Sequence, residues 1–180
     1  MNHTMKTGQT LLAFGILLFA LPALGQGMPP VVQAAKDADW ARLSSLLLAQ
    51  SNVKGVYGDG TSALHWASYH DNVQVAVDLI GQGIDVDSIT DLGVTPLWLA
   101  ADNGSAAMVD ALLENGANPN LNLLSGETLV MTAAHSGNAT LVRALLAAGA
   151  SPQGAVTRYQ TALMWAAGQG HGDVVGALLD

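Results

Sequence analysis

The chain repeats itself every 33 residues, and that period constrains its fold more than any other feature. An alanine recurs at Ala34, Ala67, Ala100, Ala133 and Ala166. In step with it, an apolar pair recurs at Leu46–Leu47, Leu79–Ile80, Leu112–Leu113, Leu145–Leu146 and Leu178–Leu179. A hydroxyl residue follows the same period at Ser62, Thr95, Thr128 and Thr161. A unit this short cannot bury an apolar face alone, so the copies must stack and share a core. A stacked array presents extended surface to another molecule, which makes binding the first functional expectation.

The copy from Gly93 onward shows how one unit is built. Thr95 is a helix N-cap, accepting a backbone N–H, and Pro96 suits the first helical position, where no donor is needed. Ala100 and Ala101 are small enough for close helix packing, and Gly104 ends this first helix in a turn. Met108, Val109, Leu112 and Leu113 then recur at helical spacing, forming the buried stripe of a second helix. Gly116 ends that helix, and Asn118-Pro119-Asn120 opens an irregular connection to the next cap. Each unit therefore reads as helix, turn, helix, extended loop.

From Pro30 to its end the chain resembles the ankyrin repeat family. The residues that carry the likeness are Gly60-Thr61-Ser62-Ala63-Leu64-His65-Trp66-Ala67, Thr95-Pro96-Leu97-Trp98-Leu99-Ala100-Ala101, Thr128 to Ala134 and Thr161 to Ala167. Gly116-Ala117-Asn118, Gly149-Ala150 and Gly170-His171 add to it. The resemblance implies an all-α fold, an α-solenoid of stacked helix-turn-helix pairs with hairpin loops. The repeats fall at about 30–56, 57–89, 90–122, 123–155 and 156–180, the first acting as a cap and the last truncated. Asp71 and Ala38 stand where the pattern has its turn glycine, and both must tolerate a left-handed backbone. Val174, Val175, Leu178 and Leu179 form an ordinary internal stripe rather than a polar end face, so a longer array is expected.

Residues 1–25 read as a cleavable signal peptide: Lys6 near the start, an apolar run from Leu11 to Leu21, Pro22, and a small-x-small site at Ala23-Leu24-Gly25. The apolar run is shorter than the roughly 20 residues needed to span a bilayer, so a retained anchor is the weaker reading. The mature chain, 26–180, is expected to be exported and periplasmic, without stable membrane insertion. It has no cysteine, which removes disulfides, thiolate metal sites and cysteine nucleophiles. Loss of Lys6 leaves a net charge of about −9, which repels phosphate backbones and makes nucleic acid a poor partner.

Several motifs resemble chemistry that their context does not support. Gly168-x-Gly170-x-Gly172 lacks the preceding strand of a nucleotide loop and falls at the repeat's own turn. Asp85, Asp87 and Asp91 resemble the start of a calcium loop, but Pro96 stands where the bidentate Glu belongs. His65, His70, His135 and His171 include no pair at zinc-binding spacing. The resemblance gives His65 and His171 a structural role, bonding backbone groups between repeats, whereas His70 and His135 are expected to face the groove. Trp66, Trp98 and Trp165 read as packing residues and Trp40 as a cover for the core's end. Asn138-Ala139-Thr140 spells a glycosylation sequon within a helix–helix turn.

The resemblance implies non-covalent binding of a protein partner by a monomer, without catalysis or cofactor, on the concave face of hairpin tips and short helices. Carried onto this chain, the tips are Asp59, Thr61, Asp91, Leu92, Val94, Ser125, Glu127, Arg158 and Gln160. The helix ends are Tyr69, His70, Asp102, Asn103, His135, Ser136 and Gln169. The rival expectation is a docking module of a longer exported enzyme.

Overall fold

A computed structural model describes residues 27–153 and 160–180; the expected signal peptide and Arg158 lie outside the described residues. Among the described residues ten helices follow one another, short then long in the first four pairs and equal in the last: α1 Pro30–Lys36, α2 Trp40–Leu48, α3 Ala63–Tyr69, α4 Val73–Gly81, α5 Pro96–Asp102, α6 Ala106–Glu114, α7 Leu129–His135, α8 Ala139–Ala147, α9 Ala162–Gln169 and α10 Gly172–Leu179. Among the described residues there is no strand, only an isolated bridge between Val56 and Ser62. None of these helices is long and apolar enough to cross a membrane.

Local chemistry sets the helix boundaries. The hydroxyl that marks the repeat caps the first helix of every repeat after the first: Thr95 accepts from Trp98 N–H at 3.0 Å, Thr128 from Met131 at 3.2 Å and Thr161 from Met164 at 3.3 Å. Ser62 forms a reciprocal cap with His65, whose Nδ1 accepts from Ser62 N–H at 3.1 Å. The second helices have caps of their own at Asp39, Asn72, Ser105 and Asn138. The turn between the two helices needs a left-handed residue at one fixed position, filled by Ala38, Asp71, Gly104, Gly137 and Gly170 with φ from 54° to 77°. Ala38 and Asp71 therefore adopt the conformation the sequence demanded of them.

The helices stack in two layers. Helix α1 packs on α3, α3 on α5, α5 on α7 and α7 on α9, while α4, α6, α8 and α10 form the second row. The recurring alanines at 34, 67, 100, 133 and 166 are all fully buried, letting the short helices approach closely. Leu79, Leu112 and Leu145, the first members of the apolar pair, are also fully buried. Their equivalents at the two ends, Leu46 and Leu178, are half-buried and pack against the same continuous core. Each repeat thus completes its core with its neighbours' side chains.

Candidate functional site

Between the long helix of one repeat and the short helix of the next, the chain forms a tight hairpin. Tyr57 N–H bonds Thr61 C=O at 2.8 Å, Thr90 bonds Val94 at 3.0 Å and Leu123 bonds Glu127 at 3.1 Å, one repeat apart each time. Successive tips are also joined: Asp91 N–H donates to Asp59 C=O at 2.8 Å, and Leu124 N–H to Leu92 C=O at 3.1 Å. The tips therefore form a hydrogen-bonded ladder alongside the short helices.

The second and third repeats enclose a groove of about 480 Å³ between this ladder and α3 and α5. Asp59, Thr61, Thr90, Asp91, Leu92 and Val94 line it from the hairpins, and His65, Trp66, Tyr69 and Leu99 from the helices. Leu92 is 70% exposed and Tyr69 54%, so the groove has apolar walls open to solvent. Asp59 is held in place by Thr61, whose N–H donates to its Oδ1 at 2.9 Å. The Thr61 side chain, and then its backbone N–H, hold the Asp59 carboxyl below its ordinary value of 3.8, so it carries charge.

His65 lies beneath the groove and is structural. Its Nε2–H donates to Val94 C=O of the next repeat at 3.0 Å, and Nδ1 accepts from Ser62. Burial pushes its pKa below the ordinary 6.5, against the opposing pull of the Val94 carbonyl and the Asp59 charge. His171 plays the same inter-repeat role, Nε2–H donating to His135 C=O at 3.1 Å. Both follow the expectation for them.

The expected partner-binding residues divide into groups. Asp59, Thr61, Tyr69, Asp91, Leu92 and Val94 meet in the one groove. His70 and Asn103 are bound into the stack: His70 Nε2–H donates to Lys36 C=O at 3.0 Å, and Asn103 Nδ2 to Ser68 and Tyr69 carbonyls at 3.2 and 2.9 Å. The His70 ring also meets the Trp40 edge at 5.8 Å and stacks on Trp66 at 6.2 Å. His135 is exposed with its ring edge against Trp165 at 5.0 Å. Glu127 accepts from Thr132 Oγ1 at 3.1 Å, and Ser136 Oγ donates to Ala133 C=O at 2.9 Å. Asp102, Ser125, Gln160 and Gln169 are exposed elsewhere along the array, away from the groove.

A family model for ankyrin repeats, built of three copies, matches residues 31–123 and again 97–180. The chain belongs to the ankyrin repeat family. Similar curated proteins include palmitoyltransferase ZDHHC13 of Mus musculus, 32% identical over 92 residues, which are 51% of this chain and 15% of that protein. Palmitoyltransferase AKR1 of Lachancea kluyveri is 40% identical over 70 residues, 38% of this chain and 10% of the relative. Neurogenic locus notch homolog protein 1 of Homo sapiens is 38% identical over 74 residues, 41% of this chain and 3% of the relative. The chain thus spans a small part of the relatives it matches. Ankyrin repeats generally mediate protein–protein interaction, and they are typically non-catalytic.

Four groove residues were absent from the expected set: His65, Trp66, Thr90 and Leu99. Trp66 and Leu99 are separated by one period and occupy the same position of α3 and α5. That shared register was the available signal. Both are half-buried and line the groove, and Trp66 also packs against the core. Asp85 and Asp87 of the calcium-like motif have structural work instead. Asp85 accepts from Asp87 N–H at 3.0 Å, and Asp87 from Asn118 N–H of the next repeat at 2.9 Å.

Proposed function

We propose that this ankyrin repeat protein is a binding scaffold of the cell envelope, holding a protein partner on the face of hairpin tips and short helices. The observation that carries the reading is the open groove between the second and third repeats, built on hairpins already hydrogen-bonded to each other. Docking on such a surface costs little ordering entropy because the backbone is fixed beforehand. Exposed Tyr69 and Leu92 supply apolar contact area, and aromatic side chains are favoured anchors. The envelope location rests on the N-terminal sequence alone, with its apolar run and small-residue cleavage site. A monomer is the expected form.

The second reading, a docking module for a longer exported enzyme, draws support from two relatives named as palmitoyltransferases and much longer than the matched stretch. Both readings use the same face. Immobilised protein incubated with envelope extract tests it. Tyr69→Ala with Leu92→Ala should weaken capture of a wild-type partner about tenfold without lowering the melting temperature. Asp110→Ala with Arg143→Ala, on the exposed outer helices, should leave capture unchanged. Equal losses from both pairs, or none from the first, would remove the proposal.

A further inference from the structure

We infer that the groove between the second and third repeats receives a basic side chain, arginine above all, from the protein partner. The inference rests on the protein-binding reading and specifies the chemistry of its anchor. The groove walls are apolar at Trp66, Leu92 and Leu99, while Asp59 and Asp91 stand on the two hairpin tips that border it. Those tips are fixed together by the hydrogen bond from Asp91 N–H to Asp59 C=O, so the two carboxylates are carried on one rigid edge. Among the described residues neither carboxylate has a cation for a partner, and Asp59 is kept ionised by Thr61.

A volume near 480 Å³ admits one long side chain with its flanking backbone. A wholly apolar occupant would desolvate the two carboxylates without compensation, and an acidic one would be repelled. A long basic side chain suits both parts, its stem lying on the apolar walls and its charged end at the carboxylates. Arginine suits them best, because its planar head stacks on aromatic rings and forks towards carboxylate oxygens. The Trp66 ring already holds one cation of the protein itself, Lys36 Nζ of the first repeat, 5.7 Å from its centre and outside the groove lining. A net charge of −8 favours the approach of such a partner.

The test uses the peptide acetyl-Gly-Arg-Gly-amide and its citrulline analogue, which keeps the shape and loses the charge. Each is titrated into the protein while amide and indole proton–nitrogen shifts are followed. The arginine peptide should shift the Thr61 and Leu92 amides and the Trp66 indole saturably. Asp59→Asn with Asp91→Asn should weaken it at least about fivefold, and raised salt should act in the same direction. Equal behaviour of the citrulline peptide, indifference to the double substitution, or shifts scattered over the outer helices would overturn the inference, as would no shift at all. The partner-capture assay separates the two readings. A partner lost with Tyr69→Ala and Leu92→Ala yet held by the Asp59→Asn, Asp91→Asn variant leaves the binding face standing and removes the basic anchor.

Discussion

Taking the His65 ring out of water penalises its protonated form, and that cost outweighs the Val94 carbonyl and the Asp59 charge that favour it. The folded-state pKa therefore lies below the unfolded value of 6.5. Between the two values the unfolded chain binds more protons, so stability rises with pH there and is lost as pH falls through that interval. Wild-type protein should lose melting temperature more steeply than His65→Gln between about pH 7.5 and pH 5, the variant lacking this titration. At pH 7.5 the variant should itself be less stable by about 1–3 kcal/mol, because the buried Ser62 and half-buried Val94 groups lose their partner. Parallel pH curves for the two proteins would show that His65 is not the source. The role of His65 was legible because it follows Leu64 at the family's own histidine position. His70 was not, since its position holds Asn103 and Ser136 in the next repeats and only the fold brings Lys36 C=O within reach. A residue placed on the concave face by its position in the repeat is thus also a clamp between repeats.

Hairpins, more than helices, give the proposed binding face its shape, and Gly60 shows what they require. Its φ is +85°, and a Cβ placed there would stand 2.5 Å from Ile89 C=O of the next hairpin. Neither the backbone conformation nor the close approach tolerates a side chain. Gly60→Ala should cost at least about 2 kcal/mol in denaturant unfolding, and it should speed amide exchange at Asp91, whose N–H completes the ladder. Gly81→Ala provides the contrast: nothing lies within 4 Å of an added Cβ at that helical position, so the change should stabilise by about 0.5 kcal/mol. If the two variants unfold alike, the tips are not held by close approach. Helix boundaries were readable because caps and turn residues repeat at fixed positions. The ladder was not, because it is made by backbone groups while the tip side chains change from Asp59 to Leu92 to Ser125. For the same reason Trp66 passed for packing alone: its aromatic ring at a repeat position announces a buried side, and only the assembled hairpins reveal the open one.

Across the whole molecule, stability should follow how completely each repeat is covered by its neighbours. Leu97 and Met131, on the short helices α5 and α7, are 1% and 0% exposed, whereas Leu163 and Met164 on α9 are 38% and 56% exposed. Leu163 corresponds in register to Leu97, and Met164 to Met131. The same sequence position thus contributes unequal burial, and apolar area withheld from the core withholds roughly 25 cal/mol per Å². At the other end Leu46 is half-buried where Leu79, Leu112 and Leu145 are fully so. In an array held by nearest-neighbour contacts, the less covered repeats then open without the middle. Native-state hydrogen exchange should find α5 to α8 the best protected and α9 and α10 at least about tenfold less so, with α1 and α2 between them. Leu112→Ala, which empties a fully buried site in the central repeat, should cost about 2–5 kcal/mol and bring the exchange of α3 and α4 closer to that of the ends. Uniform protection along the chain, lowered evenly by that substitution, would mean the repeats unfold as a single cooperative block. The groove between the second and third repeats would then owe its rigidity to the whole array rather than to the neighbours on either side of it.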